Sequence, residues 1–457
     1  MHHPSAHPPH EREGAAQRRL SALVLASWFV LMALGGLAQA RSTAADAVGD
    51  ASVLGRVSSW PLWIEAGRGL TVTVLGADGS LNWLDGATPA AEPVRLARAR
   101  AGEQLATCGA ALLVVDERGA LRRVPRAPDL PVVSVVGPLV SRYHKPVCAA
   151  DGSVIALDPL GVVLLLSREL EPRARAEVAA LPDAELVLVE WDGVTAVAVL
   201  SEPTQRYRHG TLGDEVEAGA VTLLRLPDLT PLATWRPAVP AVIEARRPTS
   251  WNADGAVGLH VTMSDETSGA RLVSLVWDGS ALRLLAAGEP LGASQRWLHL
   301  IGADGARAYA VHEPRSGGPL VRYTLPPPTP PVAAARHDEA PAALASAAFD
   351  LDLVSHVDGE RLLDRAALLG RLPDGADLLL VPRRNQRTLV WLRCDDAVCS
   401  ELAAVTLPSA LATNLALSPP QGPASAVVLA DRSGTVWRLP LPVPLEDEAT
   451  PSDREER

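Results

Sequence analysis

Short apolar runs separated by tight reversals recur along the chain, and the pattern is clearest near its C-terminal end. Residues 414–418 form a run stopped by Pro419 and Pro420, which cannot donate to a sheet ladder. Gln421-Gly422 lets the chain reverse, because glycine tolerates positive φ. Residues 426–430 are wholly apolar, and Asp431-Arg432-Ser433-Gly434 then reads as a hairpin connection. Residues 435–439, β-branched and aromatic, make a third strand that ends at Pro440.

The same grammar occurs seven more times upstream. Aligned on the glycine before each second strand, the repeats fall at Gly69, Gly109, Gly152, Gly193, Gly255, Gly305, Gly375 and Gly422. Five of these follow aspartate (Asp151, Asp192, Asp254, Asp304 and Asp374), and Asp-Gly is a strong hairpin former. After each glycine comes an apolar strand, then a turn and another strand. Most of the first seven repeats add a fourth run. The strands are apolar on both faces, whereas a sheet with one wet face alternates. Stacked sheets covered on both sides account for that. Helical periodicity is confined to residues 361–372, a short piece.

The third strand and its turn resemble the inner part of a WD40-type propeller repeat through Asp431, Gly434, Thr435, Val436 and Trp437. The closing Trp-Asp of that family stands once, at Trp277-Asp278, and its Gly-His dipeptide is absent. The resemblance implies an all-β fold: a single β-propeller of eight blades, each of four antiparallel strands. Seven blades is the alternative, because residues 341–372 make the seventh repeat irregular. The eighth repeat runs out of chain near Pro444, so a strand at residues 53–57 is expected to join the last blade and close the ring. The propeller then spans residues 53–445. Residues 202–219 and 326–343 are insertions, the second a stiff proline-rich loop. Residues 446–457 are a charged tail expected to be disordered.

Ahead of the repeats, Arg12, Arg18 and Arg19 precede an apolar core at residues 20–37, and Ala38-Gln39-Ala40 offers a small-x-small cleavage site. Residues 1–40 therefore read as a signal peptide and residues 41–52 as a linker. An uncleaved anchor is the alternative, since the core is just long enough to span a bilayer. His2, His3, His7 and His10 would leave with the signal and are set aside as metal ligands. The expected location is periplasmic or extracellular. The net charge of −11, with Lys145 the sole lysine, argues against nucleic acid or anionic membrane as partner.

Four cysteines in an exported chain point to disulfides. Cys394 and Cys399 flank a hairpin turn and are expected to pair. Cys108 and Cys148, near corresponding turns of neighbouring repeats, are expected to pair across the two blades. Two buried free thiols is the other reading of that second pair.

In a propeller the loops joining second to third strands share a face with the connectors between blades, around the channel mouth. Arg142, Tyr143, His144 and Lys145 fall in such a connector, and Arg206, Tyr207, Arg208 and His209 in the first insertion. His312 with Glu313 and Arg315 falls in the sixth repeat, and Arg383 and Arg384 with Arg387 in the seventh. Together they predict a cationic, aromatic mouth for an anionic or sugar-like ligand. Solvated loop residues with unrelated roles is the competing reading. No nucleophile elbow, zincin helix, phosphate loop or EF-hand motif is present, and no metal or cofactor is expected. The recurring Asp-Gly pairs read as turn formers. The functional expectation is a monomeric, exported, non-catalytic scaffold that binds an envelope protein or a small molecule. The alternative is a propeller enzyme of hydrolase, lyase or quinoprotein type acting on a small molecule or glycan at the mouth. N-terminal sequencing of the exported protein is expected to begin at Arg41; a first residue upstream of Leu20 would show instead that the apolar segment is retained.

Overall fold

The computed structural model describes residues 51–445 apart from short stretches, the longest being 202–218, 327–341 and 350–365. The expected signal segment, most of the expected linker and residues 446–457 lie outside the described residues. So do Gly69, Gly255, Gly305 and Gly422.

The described chain is all strand, and its sheets are eight blades in ring order. The fourth blade shows the plan. Glu185–Trp191, Val194–Ser201, Ala220–Arg225 and Thr230–Trp235 pair consecutively and antiparallel. Trp191 pairs directly with Val194, leaving two residues for the turn, and Gly193 takes φ +75° there. That left-handed conformation is why glycine recurs before each second strand.

Burial explains the missing alternation. In Val194–Ser201 the last six residues are all buried. Val197 and Val199 pack with Ile155, Leu157 and Leu165 of the third blade, while Ala198 and Leu200 pack with Leu259 and Val261 of the fifth. The period of two is intact, but alternate side chains feed two different cores. The outermost strand, Thr230–Trp235, has no blade beyond it and is mostly exposed or half-buried. The hydrophobic core is thus divided among the interfaces between blades.

The ring closes as the repeats require. The eighth blade takes Ala416–Ser418, Ala426–Ala430 and Thr435–Pro440 from the C-terminal end and Ser52–Arg56 as its outer strand. Val53 pairs with Trp437 and Arg56 with Thr435, one residue offset from the expected strand limits, and Val57 N–H still donates to Gly434 O at 2.9 Å. Gly434 has φ +83°, and a Cβ there would collide with the Val57 carbonyl. Leu54 enters the core with Ile64, Val74 and Leu84 of the first blade. At the same seam Asn414 uses its amide as a backbone would: Oδ1 accepts from Ile64 N–H and Nδ2 donates to Ile64 O, both at 2.9 Å.

The ring has eight blades, as expected, and not the alternative seven. One expectation is corrected. The stretch with helical periodicity contains the strand Ala367–Arg371, innermost in the seventh blade, and residues 361–365 lie outside the described set. Short apolar runs fit either period, and here pairing with Asp377–Pro382 across the Gly375 turn decides. The proline-rich insertion ends in a strap: Ala342–Ala343 runs parallel to Leu282–Ala287 of the fifth blade. The chain then returns as Ser346–Phe349, the outer strand of the sixth.

The fifth blade buries a polar pair, His260 Nδ1 and Ser274 Oγ 2.7 Å apart, both fully enclosed. Burial pushes the imidazole down to about 3. The unfolded chain therefore binds this proton more readily, and stability falls as pH drops from about 6.5 toward 3, by up to about 1.4 kcal/mol per pH unit. Urea unfolding of His260→Asn is expected to show a flatter acid limb; an unchanged slope would refute the role. Asn414→Leu leaves the buried Ile64 N–H and C=O without these partners. It is expected to cost about 3 kcal/mol in the same assay, and a loss below about 1 kcal/mol would show that the amide does not hold the seam.

Candidate functional site

Antiparallel blades place all second-to-third-strand turns and all blade-to-blade connectors on one face of the ring. The turns at residues 116–119, 158–161 and 431–434 share the form Asp-x-x-Gly. In each, the Asp N–H reaches the residue after the glycine and the glycine N–H returns to the Asp carbonyl. The carboxylates brace the turns. Asp116 accepts from Arg118 and Ala120 N–H and pairs with Arg122 Nε, and Asp158 accepts from Leu160 and Val162 N–H. Asp431 accepts from Ser433 N–H and from Trp437 Nε1. These aspartates are turn formers, in agreement with the sequence reading, although only Asp431 was singled out there.

The connector between the second and third blades is threaded between two such turns. Val140 N–H donates to Gly119 O at 2.8 Å and Ser141 N–H to Leu157 O at 2.7 Å. Four residues on, Lys145 carries its ammonium 4.8 Å from the ring centre of Trp63, on the innermost strand of the first blade, Pro61–Ala66. Trp63 Nε1 donates to Glu65 Oε1 at 3.1 Å, and Thr107 Oγ1 donates to the same oxygen at 2.9 Å from the innermost strand of the second blade, Leu105–Cys108. Cation, indole, carboxylate and hydroxyl thus follow one another along the inner wall. At the ring closure, Arg432 sits 5.4 Å from the ring of Trp60, which is half exposed.

Of the expected cationic mouth, Lys145 is placed on the inner wall. Arg383 Nη2 lies 2.5 Å from Glu401 Oε2, on the outer strand of its own blade, Cys399–Thr406. His312 ends the strand Arg307–His312. Arg142, Tyr143, His144, Arg206, Tyr207, Arg208, His209 and Arg384 lie outside the described residues. The sequence reading missed Trp60, Trp63 and Arg432. Trp60-Pro61-Leu62-Trp63, two indoles where the chain enters the first blade, was the available clue.

Both disulfides form as expected. Cys108–Cys148 joins the innermost strands of the second and third blades, Cα atoms 5.3 Å apart, and Cys394–Cys399 closes a turn of the seventh. That turn receives the sixth blade. Arg322 donates to the carbonyls of Asp395 and Asp396, and Arg307 pairs with Asp396 and with buried Asp377, each at 3.0 Å. Tyr309 donates to Asp377 at 2.6 Å, and burial followed by this hydrogen bond pushes its hydroxyl well above the usual tyrosine range. The Asp377 carboxylate is locked between blades, as His260 and Ser274 are sealed within one. No group of three or more His, Cys, Asp or Glu among the described residues is placed to hold a metal. A cavity of about 190 Å³ lies on the fourth blade, lined in part by Ser201, Thr222, Thr234 and Arg236. No helix among the described residues is long and apolar enough to cross a membrane.

No family model matches the chain, and no curated protein matches it in sequence. Among solved structures, BamB from Moraxella catarrhalis is similar at a TM-score of 0.50 and 11% identity, over 86% of this chain and 99% of that one. The computationally designed Ika8 protein follows at 0.49 and 13%, over 85% and 99%. The C-terminal WD40 domain of Sif2 stands at 0.48 and 12%, over 86% and 99%. At these identities the likeness concerns fold alone; that to BamB agrees with the sheet topology, by which the chain is a β-propeller of eight blades.

Proposed function

We propose that this propeller is an exported, non-catalytic binding module whose working face carries the second-to-third-strand turns and the blade connectors. The observation that carries the reading is Lys145 stacked on Trp63 at the inner wall below that face. Lys145 is exposed and offers a partner a charge, held in place over the buried Trp63 indole. Export is supported by the arginine-flanked apolar segment ending in Ala38-Gln39-Ala40 and by two disulfides, which persist outside reducing compartments. A scaffold rather than an enzyme is favoured because His260 with Ser274 and Asp377 with Tyr309, polar pairs suited to proton transfer among the described residues, are enclosed. The partner is an envelope protein or an anionic or sugar-like small molecule.

Photo-reactive side chains introduced at positions 118 and 145, and on the opposite face at 151 and 398, test the working face in the native host. Adducts are expected from the first pair. Adducts from the second pair alone would overturn the assignment. Intact-mass measurement of the native protein is expected to match the disulfide-bonded chain alone, and a stoichiometric bound metal or organic cofactor would favour a propeller enzyme instead.

A further inference from the structure

Large apolar side chains are exposed at six described positions: Val53, Trp60, Leu139, Leu160, Val398 and Leu417. Three of them fall in one sector of the proposed working face. Trp60 opens the first blade and is 46% exposed; Leu139 ends the second blade at 58%; Leu160 tips a turn of the third at 82%. Backbone bonds tie this sector together. Leu139 pairs with Ala120, and the next two residues bond to Gly119 O and Leu157 O. Leu139 therefore sits between the turn that presents Arg118 and the turn that presents Leu160. Trp60 accepts from Ala77 N–H through its carbonyl, and Arg432 reaches it from the eighth blade.

Among the described residues, the charged side chains most exposed in this sector are cations. Arg118 and Lys145 are exposed and Arg432 is half-buried, on a protein of net charge −11. Of the turn carboxylates beside them, Asp116 and Asp431 are fully buried, and Asp78 and Asp158 are half-buried and accept from amides of their own turns. The large side chains most exposed here, among the described residues, are apolar tips interleaved with cations. Exposed apolar groups clustered in this way mark protein contact sites, and Trp and Arg dominate the energetics of such sites.

We infer that this sector, across the first three blades and the ring closure, docks a segment of a partner protein that carries acidic and large apolar side chains together. The inference rests on the working face proposed above and names the partner's chemistry. The apolar residues of the segment cover Leu139, Leu160 and Trp60, and its carboxylates meet Arg118, Lys145 and Arg432.

A random sixteen-residue peptide library displayed on phage and selected on the purified full chain tests the chemistry. The selected peptides are expected to be enriched in Asp and Glu together with Leu, Phe or Trp, and a synthetic copy should bind more weakly as salt is raised. Its affinity is expected to fall at least tenfold for Leu139→Ser with Leu160→Ser and for Arg118→Glu with Lys145→Glu, and to be unchanged for Val398→Ser. All these side chains are exposed, and circular dichroism with a urea midpoint verifies folding of each variant. Peptides without acidic enrichment, binding that survives both double variants, or failure to select any peptide would overturn the inference. Adducts at 118 and 145 alongside such a failure would retire the acidic-apolar partner and leave the working face standing. Adducts confined to 151 and 398 would retire the working face itself.

Discussion

A ring of sheets has one requirement that no single blade meets: the last must be joined to the first. Here backbone hydrogen bonds between segments almost four hundred residues apart do this. Ser52–Arg56 completes the ladder along Thr435–Pro440, and Asn414 extends the pairing with its side chain to Ile64 in the next blade. Without that strand, Thr435–Pro440 would present an open edge of unpaired N–H and C=O groups, and Leu54 would be lost from the core between the eighth and first blades. Local turns set each blade, whereas the closed ring depends on this long-range pairing.

The remaining interfaces are apolar at heart and differ in what reinforces them. Between the second and third blades, Cys108–Cys148 links the innermost strands, and Arg123 spans the boundary to Gly152 O and Arg168 O. Between the sixth and seventh, four blades around the ring, Arg307 reaches Gly375 O and Arg322 the turn held by Cys394–Cys399. In both places an arginine caps the carbonyl of the glycine that begins the next blade's second strand. Those carbonyls are left unpaired by the left-handed turn, so a donor from the neighbouring blade satisfies them. The fifth and sixth blades are joined differently, by Ala342–Ala343 and by Leu344 in the shared core.

The rigidity that follows matters for binding. Val140 and Ser141 are pinned by backbone bonds to Gly119 O and Leu157 O on either side, so Leu139 beside them is held by the scaffold. Binding groups on pre-ordered backbone lose less entropy on association. The polar groups in the interior serve cohesion: Asp377 between blades, and His260 with Ser274 inside one.

Much of the fold was legible because its causes are local. Glycine and Asp-Gly turns need particular φ angles, and strands sandwiched between neighbours must be apolar on both faces, so both left marks in the residue string. Cys394 and Cys399, five positions apart across a hairpin, were equally readable. The site was less so. Lys145 was picked out as a cation in a connector, but its partner Trp63 belongs to a different blade, and the stacking of Arg432 on Trp60 spans the closure of the ring. Arg383, read as a mouth residue, pairs with Glu401 on the outer strand of its own blade. The chain's own letters determined the turns and most of the strands, and favoured eight blades over seven. Only the assembled ring decided which cations meet which aromatic rings, because those contacts depend on the order and tilt of neighbouring sheets, which no local stretch encodes.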